Sequence, residues 1–195
     1  MSRFYRPPLR RGIVDRGLVA VGLVVFVLDQ LTKQVITQGL GPDAPQNSVE
    51  VAGSFLRLSY VTNTGAAFGL FPEGTVVFTL VALIAVPLLL FSRLFLAVDN
   101  LLVRLSLGLL LGGALGNLVD RLRLGYVVDF VDVGIEQLRW PSFNVADSAF
   151  VVGVAILALY MLFWTPTADE PRQSQSSAAS QQRGPEDRSD RACVA

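Results

Sequence analysis

The chain contains no histidine, one cysteine and one lysine among its 195 residues. Without His there can be no Ser-His-Asp triad, no Cys-His pair and no imidazole-ligated metal. Cys193 stands alone near the C-terminus, so intrachain disulfides and cysteine metal clusters are excluded as well. Charge is scarce, at 16% of residues, where soluble domains run at about a quarter. Lys plus Arg and Asp plus Glu number 16 each. That balance provides no global field for nucleic acid, and no such partner is expected. Hydrolytic chemistry is left to carboxylates, a hydroxyl or Lys33.

What is plentiful is apolar sequence. Hydrophobic residues make up 52% of the chain, and the mean hydropathy is +0.51. Four stretches approach the roughly 20 residues a helix needs to cross a hydrocarbon core. They run from about Gly17 to Ile36, Thr75 to Val98, Leu101 to Val119 and Ala146 to Trp164. Four such stretches leave too little polar sequence to enclose them, which predicts an all-α polytopic membrane protein with four transmembrane helices. The first has no small-residue cleavage site and carries Asp29 and Lys33, so it is expected to be retained. Residues 17–164 are thus expected to form the membrane domain. Residues 1–16 form an Arg-rich arm, and the Ser-, Gln- and Pro-rich stretch 165–195 reads as a disordered tail.

Arg distribution predicts orientation. Arg3, Arg6, Arg10, Arg11 and Arg16 precede the first span, and Arg93 and Arg104 flank the turn between the second and third. The positive-inside rule puts these in the cytoplasm, both termini with them, and the loops at about 37–74 and 120–144 outside. Divided this way, the net zero conceals 11 basic and 7 acidic residues inside, against 5 basic and 9 acidic outside. In the first outer loop Val49, Val51, Leu56, Leu58 and Tyr60 alternate with other residues, which predicts a small sheet lying on the membrane surface.

Ionisable groups within or beside membrane spans are costly, and here they gather at the outer helix ends. Asp29 and Lys33 stand at i and i+4 and can pair, either as an interfacial ion pair with Lys33 snorkelling or as part of a site. Gly112 and Gly116 form a small-xxx-small packing face. Asn117, Asp120 and Arg121 follow it as a structural knot or a substrate site, and spacing alone does not choose. Asp129 sits in an apolar run, where partial desolvation should raise its pKa. Asn144 and Asp147 suit a helix start, though capping does not account for the apolar neighbours of Asp147. Two carboxylates in partly dry positions permit aspartyl chemistry, one activating water while the other protonates a carbonyl oxygen. Asp29, Asp120, Asp129, Asp132 and Asp147 could pair for this in several ways.

Five blocks occur in order: Asp29-Gln-Leu-Thr-Lys33, Asn63-Thr-Gly-Ala-Ala-Phe68, Gly112-Gly-Ala-Leu-Gly-Asn-Leu-Val-Asp-Arg121, Val127-Val-Asp-Phe130 and Phe143-Asn-Val-Ala-Asp147. Together they resemble the lipoprotein signal peptidases, the type II signal peptidases of bacteria, over about Gly17 to Trp164. The resemblance implies an aspartyl endopeptidase of the bacterial inner membrane, a target of globomycin, with a sheet-like cradle on its outer face. Its substrates would be prolipoproteins carrying a diacylglyceryl group on the cysteine that follows the cleavage site. It implies a catalytic pair at Asp129 and Asp147, with Asp29, Lys33, Asn63, Gly65, Asn117, Asp120, Arg121 and Asn144 in support. No metal or organic cofactor is implied. Lipid and substrate are the expected partners, with the enzyme a monomer. The substrate's signal helix is expected to enter laterally and lie against spans three and four, where glycines leave room. Asp132, close to Asp129, departs from the family pattern and would either raise the pair's pKa or face water. Two other readings compete: a Ser-Lys dyad of Lys33 with Ser54 or Ser59, and a proton-relay transporter subunit.

Overall fold

A computed structural model describes residues 13–65, 74–94 and 100–164. Parts of the N-terminal arm, the end of the Asn63–Phe68 block, and the 165–195 tail lie outside the described residues. Among the described residues there are four α-helices: α1 (Arg16–Leu40), α2 (Thr75–Leu90), α3 (Leu101–Leu124) and α4 (Val145–Trp164). Three are long and apolar enough to cross a membrane, namely α1, α3 and α4. The second expected span is shorter than its apolar run. Helix α2 has 16 residues, about 24 Å at 1.5 Å per residue. Pro87 lies within its last turn, and a short 3-10 turn at Ser92–Leu94 follows. Proline lacks the N–H that would donate to the Leu83 carbonyl one turn back, which weakens the ladder near this end; residues 95–98 of the expected span lie outside the described residues.

The bundle is apolar on both sides of its helices. In α1 the buried positions are Leu18, Gly22, Val25, Asp29, Lys33, Ile36 and Leu40, one stripe at helical spacing. The opposite face exposes Leu23, Val24, Val27, Leu28 and Leu31, as lipid contact requires. Helix α3 is central and packs against the other three. A Cβ on Gly112 would lie 2.6 Å from the Gly22 carbonyl oxygen in α1, and one on Gly113 would lie 2.5 Å from the Ala146 carbonyl oxygen in α4. The α3 glycines are therefore filled by α1 and α4. This corrects the expectation that they leave room for a substrate helix: close backbone approach within the bundle uses the space.

Strands β1 (Ser48–Ala52), β2 (Leu56–Asn63), β3 (Val127–Ile135) and β4 (Leu138–Arg139) form an antiparallel sheet in chain order. The first two strands coincide with the alternating segment. The region from Asp120 to Asn144, read from sequence as a loop, instead holds the end of α3 and strands β3 and β4. Val127 to Phe130 are all buried, so the strand has no polar alternation to reveal it. The sheet packs on the C-terminal end of α1 through Ile36, Leu40 and Phe130, with Leu58 and Tyr60 beside them. Tyr60 meets Tyr126 hydroxyl to hydroxyl at 3.1 Å. Burial, reinforced by that neighbouring hydroxyl, pushes the Tyr60 phenol up to about 12.

Candidate active site

The polar residues converge where the sheet meets the bundle, in two connected layers. The deeper layer centres on Lys33. Its ammonium lies 2.8 Å from Asp29 Oδ2 and 2.8 Å from Asp120 Oδ2, and it donates to Asn117 Oδ1 at 3.0 Å. Three donors meet three acceptors, so the ammonium is saturated. Lys33 is buried and does not snorkel. Asp29 Oδ1 also accepts the Ala146 N–H at 2.9 Å, and Asp120 Oδ2 accepts the Val128 N–H at 3.2 Å. The knot thereby holds the starts of α4 and β3 against α1 and α3. Gln30 belongs to it too, donating to Asp29 Oδ2, Asp120 Oδ1 and the Gly116 carbonyl. Sequence reasoning did not single out Gln30, since an uncharged side chain beside Asp29 gives no signal of its own. Gly116 is required here, because a Cβ would come within 2.5 Å of Asp29 Oδ2.

The upper layer holds Asp129 on β3 and Asp147 in the first turn of α4. Asn63 donates to Asp129 Oδ2 at 2.8 Å, and Asn144 donates to Asp129 Oδ1 at 2.7 Å. Asn117 donates to Asp147 Oδ1 at 2.7 Å, and the Asn144 backbone N–H reaches Asp147 Oδ2 at 3.2 Å. Each of the four carboxylate oxygens thus has one donor. Asn144 serves both acids, and its Oδ1 accepts the Asp147 N–H at 2.9 Å. That reciprocal pair is a capping box, as the helix-start reading of Asn144 expected, and the same side chain also reaches Asp129.

The orientation of all three amides follows from donors that cannot accept. The Lys33 ammonium fixes Asn117 Oδ1, the Gly65 N–H fixes Asn63 Oδ1 at 2.9 Å, and the Asp147 N–H fixes Asn144 Oδ1. Each NH2 group is consequently turned toward a carboxylate. Burial pushes the Asp129 carboxyl up to about 7, and the Asp147 charge adds to the rise. The Asn63 and Asn144 hydrogen bonds and the Lys33 charge hold it lower than it would otherwise be. This agrees with the expected direction for a carboxylate among apolar neighbours.

A cavity of about 570 Å³ opens beside the pair. Asn63, Gly65, Asn117, Arg121 and Asp147 line one wall, and Trp140, Phe143, Phe150, Val151 and Val152 line much of the rest. Asp147 borders this space, whereas Asp129 lies behind it, only 2% exposed. The Arg121 guanidinium sits 5.5 Å from the centroid of the Phe78 ring, and its buried Nε has no hydrogen-bond partner among the described residues. Asp132 neither borders the cavity nor contributes to the Asp129 shift. It pairs instead with Arg139 at 2.7 Å across the β3–β4 hairpin. The Lys33 ammonium makes its three contacts with Asp29, Asp120 and Asn117, none of them a serine, which argues against the Ser-Lys reading. Among the described residues, no group of three or more acids or thiols is disposed to hold a metal ion.

Apolar helices of membrane-crossing length, with two acids linked through Asn144 and one of them bordering a cavity, define a membrane protein equipped for aspartyl chemistry. The sequence profile of the family described as signal peptidase (SPase) II matches residues 21–163. The lipoprotein signal peptidase of Moorella thermoacetica is 46% identical over 153 residues, covering 78% of this chain and 96% of that protein. The lipoprotein signal peptidase of Caldanaerobacter subterraneus is 44% identical, covering 75% and 96% respectively. A solved bacterial membrane enzyme, obtained by the in meso method, is 32% identical with a TM-score of 0.68, covering 79% of this chain and 92% of its own. The chain belongs to the signal peptidase II family and is an aspartic peptidase.

Proposed function

We propose that this peptidase removes the signal peptide from diacylglyceryl-modified prolipoproteins, cutting just before the lipidated cysteine, with Asp129 and Asp147 as the catalytic pair. The observation that carries this reading is Asn144, which holds one carboxylate with its side chain and the other with its backbone beside one largely apolar cavity. Two acids bridged by one asparagine, with the Asp147 charge acting on Asp129, titrate as a unit. The ionised member takes a proton from water as the oxygen attacks the scissile carbonyl carbon. The protonated member gives its proton to the carbonyl oxygen, and collapse of the resulting diol passes a proton to the departing amide nitrogen.

Asn63, Asn117 and Asn144 hold the carboxylates in place. Arg121, whose side chain lines the cavity, is suited to hydrogen-bond the peptide backbone or the lipid ester. Gly65 holds Asn63, and the knot of Asp29, Lys33 and Asp120 holds Asn117 and the starts of β3 and α4. The apolar wall of Phe150, Val151 and Val152 suits acyl chains that remain in lipid, which would limit the entropy lost on binding. The arginine asymmetry supports a four-span enzyme of the bacterial inner membrane with both termini in the cytoplasm and the site facing outward. Monomeric action and inhibition by globomycin belong to the same reading.

The test is incubation of purified protein with a diacylglyceryl-modified precursor and with its unlipidated counterpart. Cleavage of the lipidated form alone is expected. Equal cleavage of both would remove the proposed substrate class.

A further inference from the structure

The β3–β4 hairpin carries an apolar surface that the proposed chemistry does not use. Strand periodicity puts Val133 and Ile135 on one face of β3. The Ile135–Leu138 pairing, and the Trp140 N–H donated to the Val133 carbonyl at 2.7 Å, put Leu138 and Trp140 on that same face. The opposite face is tied into the protein. There Arg139 binds Asp132 at 2.7 Å and donates to the Ser54 carbonyl at 3.0 Å. The ribbon therefore turns its ion pair inward and its apolar residues outward: Ile135 is 65%, Leu138 84% and Trp140 61% exposed. A hairpin built for water would reverse that arrangement.

Its neighbour identifies the occupant. Trp140 shares the cavity wall with Phe150, Val151 and Val152 in the first turns of α4, and those three residues are themselves exposed. The strip thus meets the apolar outer side of a membrane-crossing helix. We propose that the apolar face of the β3–β4 hairpin lies in membrane lipid beside the cavity mouth, anchoring the sheet to the bilayer. Glu136 and Gln137 form the connecting turn, both exposed, and charge there confines the hairpin to the headgroup–acyl boundary, about 5–10 Å deep. Trp140 suits that depth, with an apolar ring and a polar N–H.

The test needs no turnover, so its failure is separate from failure of the proposed function. Trp140→Phe and Trp164→Phe remove both native indoles, and Leu138→Trp installs one reporter outside the cavity. The full chain is reconstituted in phosphatidylcholine vesicles brominated at defined acyl positions. Shallow bromines should quench the reporter roughly twofold or more, deep bromines less, and aqueous iodide little. Ile135→Asp in the same background should relieve much of that quenching. Efficient iodide quenching without bromine quenching would overturn the proposal, as would quenching unaltered by Ile135→Asp. Shielding from iodide that appears only when a precursor peptide is added would make the strip a peptide surface and overturn it equally.

Discussion

Replacing Lys33 with Met removes one ammonium while keeping the length and much of the packing of the side chain. At 2.8 Å, each ion pair with Asp29 and Asp120 has a Coulombic attraction of ~6 kcal/mol at an effective dielectric of 20. Desolvation offsets most of that, and breaking a buried pair from one side costs about 3–5 kcal/mol in practice. Asp29 would keep the Ala146 N–H and Gln30, and Asp120 would keep Gln30 and the Val128 N–H. The expected loss for Lys33→Met is therefore about 3–5 kcal/mol, read by denaturant unfolding in lipid–detergent micelles. A second consequence concerns the site. Asn117 Oδ1 would lose its charged donor and keep only Asn144 Nδ2 at 3.2 Å, loosening the hold that turns its NH2 toward Asp147, and misplacement of about 1 Å costs on the order of 100-fold in rate. If the two residues act through one contact, the activity losses of Lys33→Met and Asn117→Leu will not multiply. Turnover of the double variant, corrected for folded protein, should match that of the worse single variant. Multiplying losses, or a stability change under about 1 kcal/mol, would refute the reasoning.

Asp129→Asn and Asp147→Asn should each abolish cleavage of a lipidated precursor while leaving the protein in the membrane; near wild-type turnover in either removes the pair from catalysis. The Asp129 carboxyl is raised to about 7, and under the proposed mechanism the pair acts with one proton, so activity should fall as pH rises through about 7. Asn63 holds that value down, so Asn63→Ala should move the alkaline limb of the pH–rate profile upward; a downward shift would contradict the assigned hydrogen bond. Gly116→Ala would force a methyl to within 2.5 Å of Asp29 Oδ2, and such overpacking typically costs about 1–3 kcal/mol. Gly125→Ala meets open space, and only its φ of 81° opposes the change, so about 1 kcal/mol is expected in the same unfolding assay.

Much of this protein was legible from residue order alone, because its solvent constrains it so strongly. Apolar runs long enough to cross lipid predicted α1, α3 and α4 nearly to their ends. The missing histidine narrowed hydrolytic chemistry to carboxylates, a hydroxyl or Lys33, and spacing paired Asp29 with Lys33 on one turn. Alternation found β1 and β2, which have a solvated side. It could not find β3, since Val127 to Phe130 are covered on both faces and leave no periodic signal. The roles of the polar residues were likewise undetermined by spacing. Lys33 and Asp120 are 87 positions apart in the chain, and only the packing of α1 against α3 brings them to 2.8 Å. The same packing occupies the glycines that sequence had left as open space. Each asparagine amide is turned by a donor that tertiary structure supplies: Lys33 from another helix, or a backbone N–H exposed by a turn or a helix start. Sequence determined which groups could do the chemistry, because composition and hydropathy are local properties. Tertiary structure decided which carboxylates are held together and which are locked in the knot, because that depends on donors brought from distant segments of the chain.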